Sequence, residues 1–414
     1  MTVCAFVAPY LLPATAEFVA AAAYLPGVQL ALVTTEPAGR LPDPLRAALA
    51  GHWRIDSPLD PGQIAEAVRG LSAQLGPVQR LFGSLEQLQV PLAQVRDALG
   101  IPGMDEPTAQ NFRDKARMKD VLRAAGVPCA RHALATSPGD ASEFVARVGL
   151  PVVVKPPAGA GARSTFRLDD ETALRTWLDS APPSPGNPAV IEQFLIGEEG
   201  SFDAVAIDGT VVWHSISHYH PTPLDVVRNP WIQWTVLLPR SIDGPEFDEI
   251  ARVGGDGLRA LGLRTGLAHL EWFRLPGGQV LVSEAAVRPP GAQITSMLGL
   301  AHDVDMHRAW AALMARDEFT PPTRSWAVGT AYLRGQGTGT ITAVHGLDRL
   351  QRELGHLVVD RSLPRPGTPT SGIYEGDGFV TVRDRDTDVV REALHRLISG
   401  ITIEVGPLRS ELDS

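Results

Sequence analysis

The stretch LPVVVKPPAGAGARS at 150–164 decides how the chain is read. Three consecutive valines form a short apolar run bounded by prolines and glycines, which predicts a strand buried on both faces. The run ends at Lys155 and passes into Ala158, Gly159, Ala160, Gly161 and Ala162. Small residues let backbone N–H groups approach an anion, and an ammonium at the strand end adds a point charge, so the stretch reads as a phosphate-binding arrangement. No Gly-Lys-Ser/Thr follows, so it is not a Walker loop. A surface hairpin with a snorkelling lysine fits the same residues. The choice between the two rests on the rest of the chain.

Downstream, AVIEQF at 189–194 predicts another strand, leading through Leu195, Ile196 and Gly197 to Glu198 and Glu199. Segments 201–207 and 211–216 form a hairpin across Asp208-Gly209, a strong two-residue turn. The second informative stretch, LAHLEWFRLPGGQVLVSEAAVR at 267–288, reads as strand, Pro-Gly-Gly turn, strand. A tight turn centred on Pro276-Gly277 sets 271 against 282 and 269 against 284. Period two then places His269, Glu271 and Glu284 on one face. Two carboxylates on one face repel each other unless a cation sits between them. Mg²⁺ suits, because it takes one or two carboxylates and fills its shell with phosphate and water. A register shifted by one residue sends the glutamates to opposite faces, and two exposed strand glutamates fit the residues as well.

Upstream, 108–125 predicts one helix stopped by Gly126 and Pro128, with Lys115 and Lys119 on one face. A solvated basic face is the commoner meaning of such a pair. His214, His218 and His220 share strand parity without a neighbouring cysteine or carboxylate, which is a weak metal signal. Arg228, Trp231 and Trp234 lie in a proline-interrupted loop at 221–240. Exposed tryptophans there suggest a ligand wall, and packing against the core is an equal alternative.

The 414 residues exceed one small core, and hydrophobic content of 44% with 20% charged residues is that of an ordinary globular chain. Forty-seven acidic against 37 basic residues give a net charge of −10 with no basic block, which argues against nucleic acid as a partner. Cys4 and Cys129, without ligand spacing, fit a reducing cytoplasm. The apolar start MTVCAFVAPYLLPATAEFVAAAAYLPGV has no basic residue and carries prolines at 9, 13 and 26. It therefore reads as strand, loop and helix instead of a signal peptide, and no run approaches a membrane span.

Segments 3–7, 29–33 and 80–83 predict strands, and 14–24, 63–75 and 85–99 predict helices. This alternation gives a parallel sheet with packed helices, without the Gly-x-Gly-x-x-Gly of a dinucleotide site. The turn-rich GIPGMDEP at 100–107 marks a boundary. A small α/β unit covers about 127–188, with a helix near 171–179. Helices are expected at 247–261 and 302–315. Strands near 327–333, 339–344 and 378–382 and a helix at 387–398 make a final α+β unit. The expected units are thus 1–104, 105–318 and 319–414.

Two lysines on separate units, a glycine loop, a strand ending in Glu-x-Phe-Leu and a carboxylate hairpin stand in an order that resembles the ATP-grasp ligases. The likeness covers roughly 105–300 well and the flanks in outline. Within that superfamily EAAVR at 284–288 is similar to the L-amino-acid ligases that make dipeptides: most members have Glu-x-Asn-x-Arg there, the Asn being a metal ligand, and Ala286 replaces it here.

The resemblance implies a Rossmann-like parallel-sheet domain ahead of the grasp, a mobile lid subdomain and a C-terminal α+β subdomain. It implies ATP phosphates held by Lys115 and Lys155 under the loop carrying Gly159, Gly161 and Ser164. Adenine would be held by Glu192, Gln193, Phe194 and Leu195, and ribose by Glu199. Mg²⁺ or Mn²⁺ would sit on Glu271 and Glu284, with Arg288 on the transferred phosphate and Arg228 as a further phosphate contact. His269 is a candidate base, and Trp231 and Trp234 with Arg288 are candidate substrate contacts. The implied activity joins a small carboxylate to an amine through an acyl phosphate, releasing ADP and phosphate. A peptide or protein acceptor, or ATP binding without turnover, are the alternatives. Relatives of this kind often form homodimers through the first domain, although 1–104 shows no such surface.

Overall fold

The computed structural model describes residues 1–159, 165–229, 232–371, 373 and 375–407, with backbone alone at 227 and 228. Its first layer is a four-stranded parallel sheet in the spatial order Gly51–Arg54, Val28–Thr34, Thr2–Val7, Arg80–Phe82. Cys4 and Phe6 pack into one core and Val3, Ala5 and Val7 into another. Both faces of the sheet are therefore covered, which is why its strands read as continuous apolar runs. Gly51–Arg54 escaped the sequence reading because GHWR carries no apolar alternation.

A second, antiparallel sheet has the order His132–Ala135, Ala189–Gln193, Val152–Lys155, Phe166–Leu168. Helices Pro138–Val148 and Glu171–Ser180 cover it. The valine strand thus lies in the middle of a sheet, with Lys155 opposite Val190.

The largest sheet has nine strands. Along its path run Val280–Ala286, Gly266–Arg274, Glu198–Ile207, His218–His220, Trp234–Leu238, Ala327–Leu333, Gly378–Asp384 and Val358–Ser362. Thr210–Ile216 pairs beside Glu198–Ile207. The Asp208-Gly209 turn is as expected, with positive φ at both residues (49° and 81°). The first sheet leans on this body through Trp310, whose ring lies 6.0 Å from Phe6 and 5.7 Å from Phe82.

Five sequence expectations need correction. The helix at 108–125 is two helices, Glu106–Arg113 and Lys115–Ala124. Asp114 leaves helical geometry (φ −93°, ψ 113°), caps the second helix through Ala116 and Arg117 N–H, and frees Lys115 N–H to bond Pro157 O at 2.9 Å. The helix at 302–315 is Met306–Arg316, and His302 instead ends Ile294–His302. Trp234 is not on an exposed loop. It is 2% exposed on a strand and stacks on Tyr332 at 4.3 Å. The three histidines do not form one cluster: His214 stacks on Phe202, and His218 meets Trp272 edge-on. The fifth correction is the register of the carboxylate hairpin. The last unit also contains Leu347–Leu354, Val358–Ser362 and Thr402–Gly406, which were not read from the sequence.

Candidate active site

A cleft of about 470 Å³ lies between the second sheet and the large one. One wall is built from Val153, Lys155 and Pro156 and from 192–197. The other is built from Glu199, His269, Glu271, Ser283, Glu284 and Arg288. Lys115 and Glu86 also line it.

The hairpin explains how both glutamates reach this cleft. Arg274 pairs with Val280 and Trp272 with Val282, so a regular ladder would set Glu271 against Ser283. That is one residue away from the register expected from the sequence, and it would turn Glu284 toward the core side with Leu270. Instead the register shifts between Glu271 and Trp272. Ser283 becomes an extra residue, and Glu271 stands opposite Glu284. This is a β-bulge on an edge strand, where bulges concentrate and re-aim side chains. The common face of His269, Glu271 and Glu284 is real, but the bulge creates it and the turn does not.

The charges are organised in pairs. Lys115 Nζ is 2.5 Å from Glu284 Oε1 and donates to Gly159 O at 2.9 Å. Lys155 Nζ lies 3.0 Å from Glu192 Oε1, and Lys119 Nζ lies 3.4 Å from Glu192 Oε2. Lys115 and Lys119 are 6% and 0% exposed, so the solvated basic face is excluded. Burial would raise the Glu192 carboxyl, but Lys119 and Lys155 outweigh it and hold it below the usual range. Burial lowers Lys119, while Glu192 and Glu284 overcome burial at Lys155 and raise it.

Burial and then the facing Glu284 push the Glu271 carboxyl up. Glu284 goes the other way, because Lys115 and Lys155 overcome its burial. Glu199 is pushed well above the ordinary value by burial, then by Glu271 and Asp225, and its Oε2 is buried without a hydrogen-bond partner among the described residues. Among the described residues, six carboxylates and four cationic side chains line the cleft. A divalent cation at Glu271 and Glu284 suits this imbalance. No cluster of three or more His, Cys, Asp or Glu ligands occurs among the described residues. An apolar strip of Val153, Phe194, Leu195, Ile196 and Phe273 offers room for a flat ring. Arg167 stacks over Phe194 at 4.0 Å.

Sequence reasoning did not single out Glu86, Asp203 or a site role for Lys119. Glu86 holds both Arg113 (2.7 Å) and Arg288 (3.3 Å). Asp203, 0% exposed, bonds His269 Nδ1 at 2.6 Å and accepts from Ser201 Oγ at 2.7 Å, leaving Nε2 on the cleft side, 3.8 Å from Glu271. The sequence carries a signal only for Asp203, which shares strand parity with the buried Ser201. Of the residues singled out from sequence, Lys115, Lys155, Gly159, Glu192, Gln193, Phe194, Leu195, Glu199, Trp234, His269, Glu271, Glu284 and Arg288 line the cleft. Arg228 ends the helix Pro223–Arg228. Gly161, Ser164 and Trp231 lie outside the described residues.

A parallel sheet is followed by two mixed units that flank a cleft of lysines and facing carboxylates. The fold is the ATP-grasp fold. An L-amino acid ligase from Bacillus licheniformis superimposes with a TM-score of 0.74 at 18% identity, covering 98% of this chain and 99% of that one. An N5-carboxyaminoimidazole ribonucleotide synthetase from Thermotoga maritima gives 0.70 at 18% identity, covering 98% and 100%. In sequence, the chain is 26% identical over 375 residues to the uncharacterised protein y4rH of Sinorhizobium fredii, covering 88% of this chain and 72% of the relative. It is 27% identical over 230 residues to the L-arginine-specific L-amino acid ligase of Bacillus subtilis, covering 54% and 55%. The match therefore spans only about half of that ligase. No protein-family model matches the chain. Among the described residues no helix is long and apolar enough to cross a membrane.

Proposed function

We propose that this chain is an ATP-dependent carboxylate–amine ligase that joins two small molecules, amino acids in the first instance, and releases ADP and phosphate. The observation that supports it most is the single cleft face bearing Glu271 and Glu284, with Lys115, His269 and Arg288 around it. The similarity to amino-acid ligases supports amino acids as the first substrates to try.

A carboxylate does not lose oxide to an amine, so the donor acid must first be activated by the γ-phosphoryl group of ATP. Phosphoryl transfer needs positioning and charge neutralisation more than covalent help. Lys115 and Lys155 would neutralise phosphate oxygens, Glu199 would meet the ribose hydroxyls with its partnerless oxygen, and the backbone after Glu192 would meet the adenine. The Glu192 carboxylate itself is committed to two lysines. Bound at Glu271 and Glu284, Mg²⁺ would supply Lewis-acid neutralisation of phosphate charge. Arg288 would hold the transferred phosphoryl group and then the oxyanion that forms when the amine attacks. His269, fixed by Asp203, would take the amine proton on the cleft side. The unit at about 127–188 would act as a lid that excludes water from the acyl phosphate. The 1–104 unit, the grasp core to 318 and the tail from 319 complete this reading, and the working environment is the cytoplasm.

The test is phosphate release from ATP and Mg²⁺ with amino acids offered singly and in pairs, products being weighed by mass spectrometry. A condensed product, lost in Glu284→Ala and Arg288→Ala, supports the proposal. Release that depends on bicarbonate moves the chain toward carboxylating chemistry. ATP binding with no release from any mixture overturns small-molecule ligation.

A further inference from the structure

The helix Lys115–Ala124 presents two lysines one turn apart to two consecutive residues of the edge strand Val280–Ala286. Lys115 reaches the Glu284 carboxylate. Lys119 donates to the carbonyl of Ser283 at 2.7 Å. Ser283 is the extra residue of the bulge, left out of the pairing with Gly266–Arg274. A bulged residue competes with a straightened ladder, in which Ser283 would face Glu271 and Glu284 would move to the core side. Placing an ammonium with no exposure inside the protein is costly. Its counter-charge, Glu192, is already paired with Lys155 at 3.0 Å and sits farther from Lys119, at 3.4 Å. The shortest contact Lys119 makes is to the bulge.

We infer that Lys119 is a positioning residue for the metal pair: by holding the Ser283 carbonyl it keeps the bulge that sets Glu284 opposite Glu271. This rests on the proposal that those two glutamates bind a divalent cation with the nucleotide. Groups one step behind a metal ligand typically change metal affinity by about 10–100-fold when removed. A device of this kind would act on metal binding and leave metal-free nucleotide contacts alone.

The experiment is Mn²⁺ titration followed by electron paramagnetic resonance, with the full chain saturated by an ATP analogue carrying a β,γ-imido bridge. Lys119→Met is expected to raise the Mn²⁺ dissociation constant by about 10–100-fold. Analogue binding without metal should be little changed. If the methionine variant does not fold, Lys119→Gln takes its place with the same expectation. The sharper arm uses a chain lacking Ser283. Its ladder pairs Glu271 with Glu284 without an extra residue, so Lys119→Met should there cost no further Mn²⁺ affinity. An equal loss in both backgrounds overturns the inference, as does unchanged Mn²⁺ affinity in a folded Lys119 variant. A parallel loss of metal-free nucleotide binding also overturns it, because Lys119 would then act through Glu192 and Lys155. A wild-type chain that binds no Mn²⁺ with the analogue overturns the metal-pair reading as well.

Discussion

Glu271 and Glu284 stand directly opposite each other on neighbouring antiparallel strands, although the ladder beside them runs in a register that would have set Glu271 against Ser283. One extra residue decides the chemistry of the cleft. It brings together two carboxylates, of which Glu284 is neutralised by Lys115 and Glu271 is left with its proton affinity raised. On the proposed reading this repulsion serves metal binding, and it would be released when one of the two charges is removed.

Glu271→Gln should therefore stabilise the ligand-free protein while disabling it. Removing one of two facing charges is expected to raise the melting temperature by about 1 °C, the scale of roughly half to one kcal/mol in a chain of this size. Turnover should fall by at least about 100-fold, because a proposed metal ligand is lost. Calorimetry without nucleotide and a phosphate-release assay check the two halves. A variant that melts lower than the wild type would show that the Glu271 carboxylate has a stabilising partner instead of a repelling one.

Gly200 is required by backbone approach. A Cβ there would lie 1.9 Å from Ser217 O and 2.7 Å from the Trp272 ring. Gly200→Ala must push apart the strands that flank Glu199, and overpacking of this kind costs about 1–3 kcal/mol or more. The expected result is a lowered melting temperature with weakened ATP affinity, read by calorimetry and nucleotide titration. An alanine variant with wild-type melting would place the strand pair farther apart than it stands here.

These residues also show where sequence reading works and where it stops. Val152–Lys155 and the Asp208-Gly209 hairpin were legible, because each is written in local spacing or turn chemistry, whereas the shared face of Glu271 and Glu284 was expected from a turn register that the structure does not have. The bulge at Ser283 was not legible, since period-two alternation fits either register and nothing local marks an extra residue. The break at Asp114 was hidden for a related reason. An aspartate inside a helical pattern looks tolerable until Pro157 O, distant in sequence, takes the Lys115 N–H. Trp234 was misplaced because WTVLL is buried along its whole length and shows no alternation. The pairings of Lys119 with Glu192 and of Glu86 with Arg288 join residues far apart in the chain. Only the fold reveals them.

His302 makes stability depend on pH. Burial pushes its pKa from 6.5 down to about 4, and its Nδ1 bonds Leu298 O at 2.7 Å. The folded imidazole is neutral where the unfolded one is protonated. The unfolded state thus binds more protons between those values, and stability falls as pH drops below about 6.5. At pH 5.5 the loss from this one group is about 1.4 kcal/mol. His214, His218 and His307, also lowered by burial, act with the same sign. Urea midpoints at pH 7.5 and 5.5 should differ less in His302→Gln than in the wild type. An unchanged difference would remove His302 from the account.

Arg288 gives the last test, through Glu86. The guanidinium is held from the first sheet's side by Glu86, which also grips Arg113, and it donates to Pro289 O at 3.0 Å. If Arg288 acts on charge that develops during transfer, Arg288→Ala should lower kcat by about 10²–10³ with little change in the KM for ATP. Arg288→Lys keeps the charge but not the planar fork, so it should recover only part of that loss. Glu86→Gln leaves Arg288 in place but loosely held, and a fall of about tenfold in kcat is expected by analogy with groups that orient a ligand from behind. Steady-state kinetics of the three variants separate the roles. A rise in the KM for ATP with kcat retained would place Arg288 among the contacts made equally before and during the reaction, and Glu86 would then be a bridge between the first sheet and the cleft with no part in the chemistry.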